Sequence, residues 1–558
     1  MKVYLKAFLY LLSFCVVMKN YTVDDFSDAL LTEELLNNQL NLDDAYLQAF
    51  LQQDEPVFAV EEAVPAVSKV MVPPALIVSM LEAVNLKKIL MQDFFLKTYQ
   101  LEVKGIHDYP LFHSYKDPFK LCRKTGRKKS ISVVPFFTYV SPSLFESKEE
   151  DTLQAYLALN ETRLLTALHD SITQLKQFSD QFYFDVAAVF NSLSHTYIQQ
   201  RKLGALLSSQ FLVGESLFGV SVPFLYSERN FQMPQYFKDV LEREFGASTA
   251  EQQEAFKKHH LIADKVGCGD LKVQCAHKFR LKPYYEVQLQ LASVLPTAFA
   301  IKSGMLGTTF KSKSALPAFH FADFAELLIT NNQEKIFQLT TDLAYDCLDR
   351  IAYALLEHRL GEGRFAVSAG ISQKVNIGKF LSKAWLKRFR LESSFFIEYK
   401  APMTVKQSFA TKINRSALEN STMSSDPAKL LDLFSQGVVS QLFLRSFCAQ
   451  VSGSVALKYR SALVYHAKQY RVFVGSDSWL KSPTYINVIK APSDIKNTLD
   501  KQKADKKYAA QAILFGGATY SMKRSAYSVD FNIAGYTSTL SRGIGKDIGF
   551  SVGCDISF

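Results

Sequence analysis

Tryptophan is nearly missing from this chain, with 2 in 558 residues, and the 7 cysteines contain no C-x-x-C. They stand alone at Cys15, Cys122, Cys268, Cys275, Cys347, Cys448 and Cys554. Cysteine-built metal and redox sites need closer spacing, so neither is expected. Cys268 and Cys275 are an odd number of residues apart, so on one strand they would face opposite ways and could not bridge. All seven read as small apolar fillers. Beyond the first 18 residues no 18-residue apolar run free of charged and turn residues occurs. The nearest, Ala205 to Tyr226, is broken by Gln210, Gly214, Glu215 and Gly219 and reads better as two strands joined at Gly214-Glu215. A helical membrane bundle is thereby excluded. Without a repeat of 20 to 50 residues, so are solenoids and propellers.

Catalytic grammar is equally sparse. There is no H-E-x-x-H, G-x-S-x-G or EF-hand run, and the one glycine-rich candidate, Gly543-Ile-Gly-Lys546, leads into the terminal strand as a hairpin turn. His259-His260 sits on a charged helical stretch and reads as exposed, not metal-bound. His195, His277 and His466 have no nucleophile brought beside them by any motif. The expectation is no enzyme, no catalytic residue, no cofactor and no metal. Seven Lys/Arg between Lys116 and Lys129 lack interleaved stacking aromatics, which makes a solvated basic loop and no nucleic-acid partner.

What is present points to β structure. Hydrophobic residues reach 48%, and the aromatic share of 13% comes from 44 Phe and 26 Tyr. That mixture suits sheets with apolar girdles. Between Tyr21 and Ser68 there are 11 acidic residues and no Lys or Arg, while the chain from Lys69 onward carries a net charge of +18. Residues 21–68 therefore form an acidic, partly helical or disordered arm, chemically separate from the rest. Lys2 and Lys6 followed by the apolar run Ala7 to Met18 write the grammar of an export signal, placed at residues 1–20. No A-x-A site follows it, and bulky Phe14 before Cys15 departs from the small residue that precedes a lipidated cysteine.

The final eleven residues alternate without error. Ile548, Phe550, Val552, Cys554, Ile556 and Phe558 are apolar; Gly549, Ser551, Gly553, Asp555 and Ser557 are small or polar. A strand ending on a C-terminal Phe resembles the terminal signal by which outer-membrane barrels are recognised by their assembly machinery. Ile548, Phe550, Val552, Ile556 and Phe558 are its candidate residues. The same period of two runs through Leu271 to Phe279, Tyr285 to Ala292, Phe365 to Ser372, Phe389 to Lys400, Tyr527 to Ala534, and more weakly Phe218 to Tyr226, Val451 to His466, Tyr470 to Ser476 and Ala512 to Met522. Alternation fits a sandwich or a barrel. Leader and terminal Phe together favour the barrel, in which apolar faces meet lipid and polar faces line a wet lumen.

The expected fold is all-β with helical insertions: a transmembrane antiparallel β-barrel of about 12 strands, with 14 as the alternative, over residues 132–558. Residues 69–131 would be a periplasmic or plug-like segment. Helical loop insertions are expected near 149–178, 235–263, 320–358 and 426–447, capping or plugging the pore. Candidate lumen-lining residues are Lys272, Gln274, Lys278, Glu286, Gln288, Gln290, Arg390, Glu392, Glu398, Lys400, Lys458, Arg460, Asp530 and Asn532. Bases and acids nearly balance on this inward face, so no ion preference follows.

Gly267-Cys268-Gly269-Asp270-Leu271, followed by Leu295-Pro296-Thr297, goes beyond generic barrel grammar. It resembles the G-x-G-D-[LIV] … P-T-G pattern of the outer-membrane channels of phenol-degradation meta-pathways, architectural relatives of FadL-type channels. Ala298 stands where that pattern has its last glycine, and the helical insertions here are longer. The resemblance covers about Phe211 to Phe310 and the C-terminal strand. It implies passive uptake of small hydrophobic molecules across a bacterial outer membrane, without cofactor. The expected partners are outer-membrane lipid, the barrel-assembly machinery and a small solute. Two alternatives stay open: a closed structural or adhesive surface barrel without transport, and a secreted soluble β-protein.

Overall fold

The computed structural model describes residues 104–112, 129–140, 153–156, 195–232, 250–282, 284–319, 332–380, 384–412, 439–524 and 527–558, with single positions between 95 and 101 and between 323 and 330. The expected leader and acidic arm, the basic stretch after Lys116 and most of the first expected helical insertion lie outside them.

Seventeen strands are described: β1 Lys129–Val140, β2 Tyr197–Val213, β3 Ser216–Gln232, β4 Ile262–Cys268, β5 Leu271–Lys282, β6 Tyr285–Leu295, β7 Phe299–Ser303, β8 Ala366–Asn376, β9 Phe389–Lys400, β10 Met403–Phe409, β11 Arg445–Val451, β12 Ser454–His466, β13 Tyr470–Lys481, β14 Ile486–Lys490, β15 Ala509–Lys523, β16 Ser528–Arg542 and β17 Asp547–Ser557. Twelve of them close a ring in the order β1-β2-β3-β5-β6-β8-β9-β12-β13-β15-β16-β17, every neighbour antiparallel. The ring is sealed by β1 against β17, from Ser130 opposite Ser557 to Val140 opposite Asp547. Closure leaves no free sheet edge in the wall, which is what a bilayer demands of a strand protein.

Alternation assigns the two faces. Leu291, Val474, Leu514, Ile533 and Val552 point outward and are more than half exposed. Their neighbours Ser372, Asp477, Gln511, Asp530 and Asp555 point inward and are buried. Large apolar side chains outside and polar ones inside reverse the arrangement of a water-soluble protein and identify a membrane-spanning barrel. The β2–β3 hairpin turns at Gly214-Glu215, where Gly214 has φ +60°, a conformation that glycine accepts without strain.

The two ends of the barrel differ. The chain enters β1 and leaves β17 at the same end, where most connections are short: Gly214-Glu215, 283–284, 467–469 and 524–527. The opposite end carries the long connections. One contains helix α1, Ala250–Phe256, and another helix α2, Gln333–Leu356, whose N-terminus is capped by Asn332 accepting from the Lys335 amide at 3.2 Å. The last turns of α2, Ile351 to Leu356, are buried with Ile198, Phe231, Ile262 and Phe310 in an apolar cluster.

Four features depart from the sequence reading. The wall begins at Lys129, and the described residues of 401–453 and 482–508 are not wall: β10, β11 and β14 from these connections form a separate three-stranded sheet. The expected helix over 426–447 gives way to β11 from Arg445, because Phe447, Ala449 and Val451 bury one face of that sheet. The expected Val451 to His466 strand is two strands in two sheets, divided at Ser452-Gly453. The helical stretch 235–263 likewise ends before Ile262, where β4 starts.

Candidate functional site: a segment held inside the barrel

The segment Gly105 to Phe112 lies within the ring. Its short helical turns, Ile106–Asp108 and Pro110–Phe112, touch inward residues from opposite walls, which no outer position could reach. Lys104, just before it, donates to Gln511 of β15 at 3.1 Å and lies 3.8 Å from Asp477 of β13. His107 Nε2 donates to the Asp270 carbonyl at 2.8 Å and its Nδ1 accepts from the Ser221 hydroxyl at 3.3 Å. Tyr109 packs against Tyr536 of β16 with ring centroids 5.5 Å apart.

On one arc of the lumen the contacts are apolar. Ile106, Tyr109 and Leu111 pack with Phe136, Val464, Phe473, Ile513, Phe515 and Tyr536 in a buried cluster. The polar inward face expected from the alternation is corrected on this arc: inward positions of β1, β13, β15 and β16 include large apolar side chains with a segment of chain to cover. On the other arc the contacts are ionic. Asp108 meets Lys458 at 2.6 Å, Lys458 meets Glu398 at 2.7 Å, and Lys400 meets Glu398 at 3.3 Å and Glu362 at 2.6 Å. The ligand oxygens of Asp108, Glu362 and Glu398 all lie within 4.8 Å of one another, a concentration of negative charge met by the Lys458 and Lys400 ammonium groups.

Electrostatics follow from this burial. Burial alone would raise the Asp108 carboxyl, but the nearby Lys458 and Lys400 cations hold it well below the usual carboxylate range. Burial, reinforced by Lys272, lowers His107 to about 4, so its ring is neutral near pH 7. Burial also pushes the Lys104 ammonium below its ordinary value, against the pull of Asp477 and Asp547.

The sequence-derived lining residues fall into several groups. Lys458, Glu398 and Lys400 belong to the ionic cluster, with Lys272 close enough to affect both His107 and Asp108. Arg460 donates to Asp477 at 3.2 Å beside the Lys104 contact. Toward the terminal end Lys278 pairs with Glu286 at 2.7 Å, Lys374 with Glu392 at 3.5 Å, Gln290 donates to Ser372 at 3.0 Å and Asn532 to Asp555 at 2.5 Å. Gln288 and Asp530 are buried, and Gln274 and Arg390 are half-buried on the same strand faces. The terminal-strand residues Ile548, Phe550, Val552 and Phe558 are exposed on the outer face, and Ile556 is half-buried beside them.

The reading from sequence missed Lys104, His107, Asp108, Glu362 and Asp477. It also read Asp270 as turn chemistry alone. Antiparallel pairing runs through β4 and β5 against β3 with a break at Gly269-Asp270, and through β6 and β7 with a break at Pro296 to Ala298. The Asp270 carboxylate bridges these breaks by accepting from the amides of Ala298 at 3.3 Å, Glu362 at 2.6 Å and Gly363 at 3.2 Å. It packs so close to Gly361 that a Cβ there would collide with it.

No family model matches the chain, so the phenol-pathway resemblance gains no support, and no curated relative matches it. Similar solved structures are outer-membrane barrels. An outer-membrane channel from Pseudomonas putida F1 is 9% identical, over 77% of this chain and 96% of that one, at a TM-score of 0.37. The CymD monoaromatic hydrocarbon channel is 8% identical over 82% and 95%, at 0.28. The toluene transporter TodX of Pseudomonas putida is 8% identical over 84% and 98%, at 0.24. Likeness this loose carries no residue-level inference, and the barrel rests on its own closed strand pairing.

Proposed function

We propose that the protein is a passive outer-membrane channel for small solutes, apolar ones included, with Gly105 to Phe112 as a displaceable plug. The observation that carries this reading is the ionic arc. A barrel that only needed filling could use apolar packing throughout, whereas Asp108, Lys458, Glu398, Lys400 and Glu362 place a chain of ion pairs between plug and wall. The short connections at the terminal end suit the periplasmic side and the long ones the cell exterior. In this reading the leader directs export, the strand ending at Phe558 engages the assembly machinery, and outer-membrane lipid covers the apolar belt. The chain performs no catalysis. The monoaromatic hydrocarbons named for CymD and TodX are one solute class to try.

A second reading, a closed structural barrel, is favoured by the apolar cluster around Tyr109. Planar-bilayer recording separates the two. The channel reading expects discrete conductance steps from detergent-purified protein whose unheated gel mobility shifts on boiling. A heat-modifiable barrel that never conducts, and whose liposomes never swell in small solutes, overturns it.

A further inference from the structure

The chain crosses the lumen from one end of the barrel to the other. Its upstream part is at the loop end: the Thr98 amide donates at 2.8 Å to the carbonyl of Lys503, which lies in the connection between β14 and β15, and Phe95 and Leu101 are buried in the apolar cluster built on the last turns of α2. Lys104 then meets Asp477 and Gln511, close to the loop-end termini of β13 and β15. Farther down, Tyr109 reaches Tyr536, and Phe112 reaches Phe136 with ring centroids 5.0 Å apart, both near the middle of their strands. The next described residue, Lys129, is at the opposite end, where its amide and carbonyl pair with those of Phe558 at 3.2 and 3.1 Å. A wall closed by hydrogen bonds has no seam through which a stretch of chain could leave sideways, and lipid outside it offers the backbone no partner. The segment is therefore threaded through the ring.

Both ends of the threaded stretch are fastened. At the terminal end it runs on into wall strand β1. At the loop end Phe95 is buried, its ring edge-on to Tyr156 with centroids 6.2 Å apart, in a left-handed conformation with φ 59° that a bulky residue adopts only where its surroundings impose it. Everything upstream of Phe95 thus starts on the loop side. That upstream chain includes Tyr21 to Ser68, with 11 acidic residues and no Lys or Arg. Charge of that density does not cross back through hydrocarbon, and the lumen already holds Gly105 to Phe112.

We propose that the barrel has a second function, as the anchor that presents its own acidic N-terminal arm in water on the loop side of the membrane. This goes beyond the channel reading and rests on it only for the loop end being the cell exterior. Threading also limits how the lumen opens: fastened at both ends, Gly105 to Phe112 moves aside within the ring and does not leave it.

The test is an epitope inserted into the full-length chain after Pro56, compared with the same epitope after Asn420 in the β10–β11 connection and after Lys468 in the 467–469 turn. Each is probed by antibody on intact and on permeabilised bacteria, and each protein is checked for the boiling-dependent gel shift. The expected result is that antibody reaches the Pro56 and Asn420 epitopes on intact cells and the Lys468 epitope only after permeabilisation. A Pro56 epitope that is reached together with Lys468 instead of Asn420 overturns the proposal, as does one missing from the heat-modifiable protein because the arm has been cut away. If intact cells show Lys468 and hide both Pro56 and Asn420, the threading stands and the orientation taken from the channel reading falls. A second measurement needs no insertion: a glutamate-specific protease on intact cells should release peptides ending at Glu55 or Glu62 while the barrel stays heat-modifiable. An arm that resists until the outer membrane is opened, in cells whose Asn420 epitope is accessible, overturns the proposal. A barrel that labels as expected and never conducts loses the channel and keeps the displayed arm.

Discussion

The two arcs of the lumen hold the same eight residues by different physics. Around Tyr109 the wall offers Phe136, Phe473, Phe515 and Tyr536, a contact of large area with no charge to satisfy. Around Asp108 it offers Lys458, Glu398 and Lys400, where every charge depends on its neighbour. Truncating one apolar side chain removes only that side chain's share of the contact. A buried ion pair fails abruptly when one partner is removed, because the other is left uncompensated. In the channel reading the apolar arc supplies adhesion, and the ionic arc the point at which adhesion is released.

The largest expected effect comes from breaking the ionic arc on one side. Lys458→Met removes the hydrogen-bonded counterion of Asp108 and leaves only Lys400 and Lys272 near it, at a cost of about 3 kcal/mol. That shifts the docked-to-free ratio of the segment about a hundredfold or more. Bilayer recording should find the variant open far more often than wild type, and the double variant Asp108→Asn with Lys458→Met should return most of the way. If Lys458→Met conducts as wild type does, the ionic arc is not the switch.

Tyr109→Ala attacks the apolar arc. Removal of a large buried aromatic costs about 3 kcal/mol, softened where neighbours collapse into the space. The expected outcome is faster protease cleavage near residue 109 in folded protein, with a less steep gain in conductance than in Lys458→Met.

Acidity sharpens the comparison further. His107 is lowered to about 4 when docked and returns to about 6.5 when free, so the free form binds the extra proton. Docking strength is then complete above about pH 6.5 and declines as pH falls toward 4, by about 2 kcal/mol near pH 5. Asp108, held low by Lys458, loses its contribution only below the ordinary carboxylate range. Conductance should rise between pH 6.5 and 4.5, and His107→Gln should flatten that rise. The smallest effect is expected from salt. A rise in KCl from about 0.1 to 1 M shortens the screening length from about 10 to 3 Å, yet pairs this buried should change opening by less than about twofold.

The wall was legible because its rule is local. The alternation from Ile548 to Ser557 and from Phe389 to Lys400 states which side of each strand meets lipid, and Gly214-Glu215 marks a hairpin on its own. Which residues would lie inside the ring was not legible, since 69–131 read only as a periplasmic or plug-like span. Gly105 to Phe112 has no periodicity, and its partners lie far along the chain, Lys458 being 350 residues from Asp108. Nor does alternation reveal what an inward Phe473 or Phe515 will touch, since a lumen side chain and a core side chain carry the same spelling. Asp270 was visible as a residue but not as a bridge, because its amide donors come from Ala298, Glu362 and Gly363.

The small sheet at the loop end also constrains the order in which the molecule can mature. β10 and β11 arrive with the connection between β9 and β12, but β14 arrives only after β13 has been laid beside β12. Wall strands find their partners mostly among near neighbours in the chain. The roof must wait for pieces delivered by two separate hairpins, then be stitched by the Thr411–Leu499 and Thr484–Lys506 bridges. Roof closure joins strands about 40 residues apart in sequence, farther than the short-turn hairpins of the wall span and far nearer than the β1–β17 seam that closes the wall.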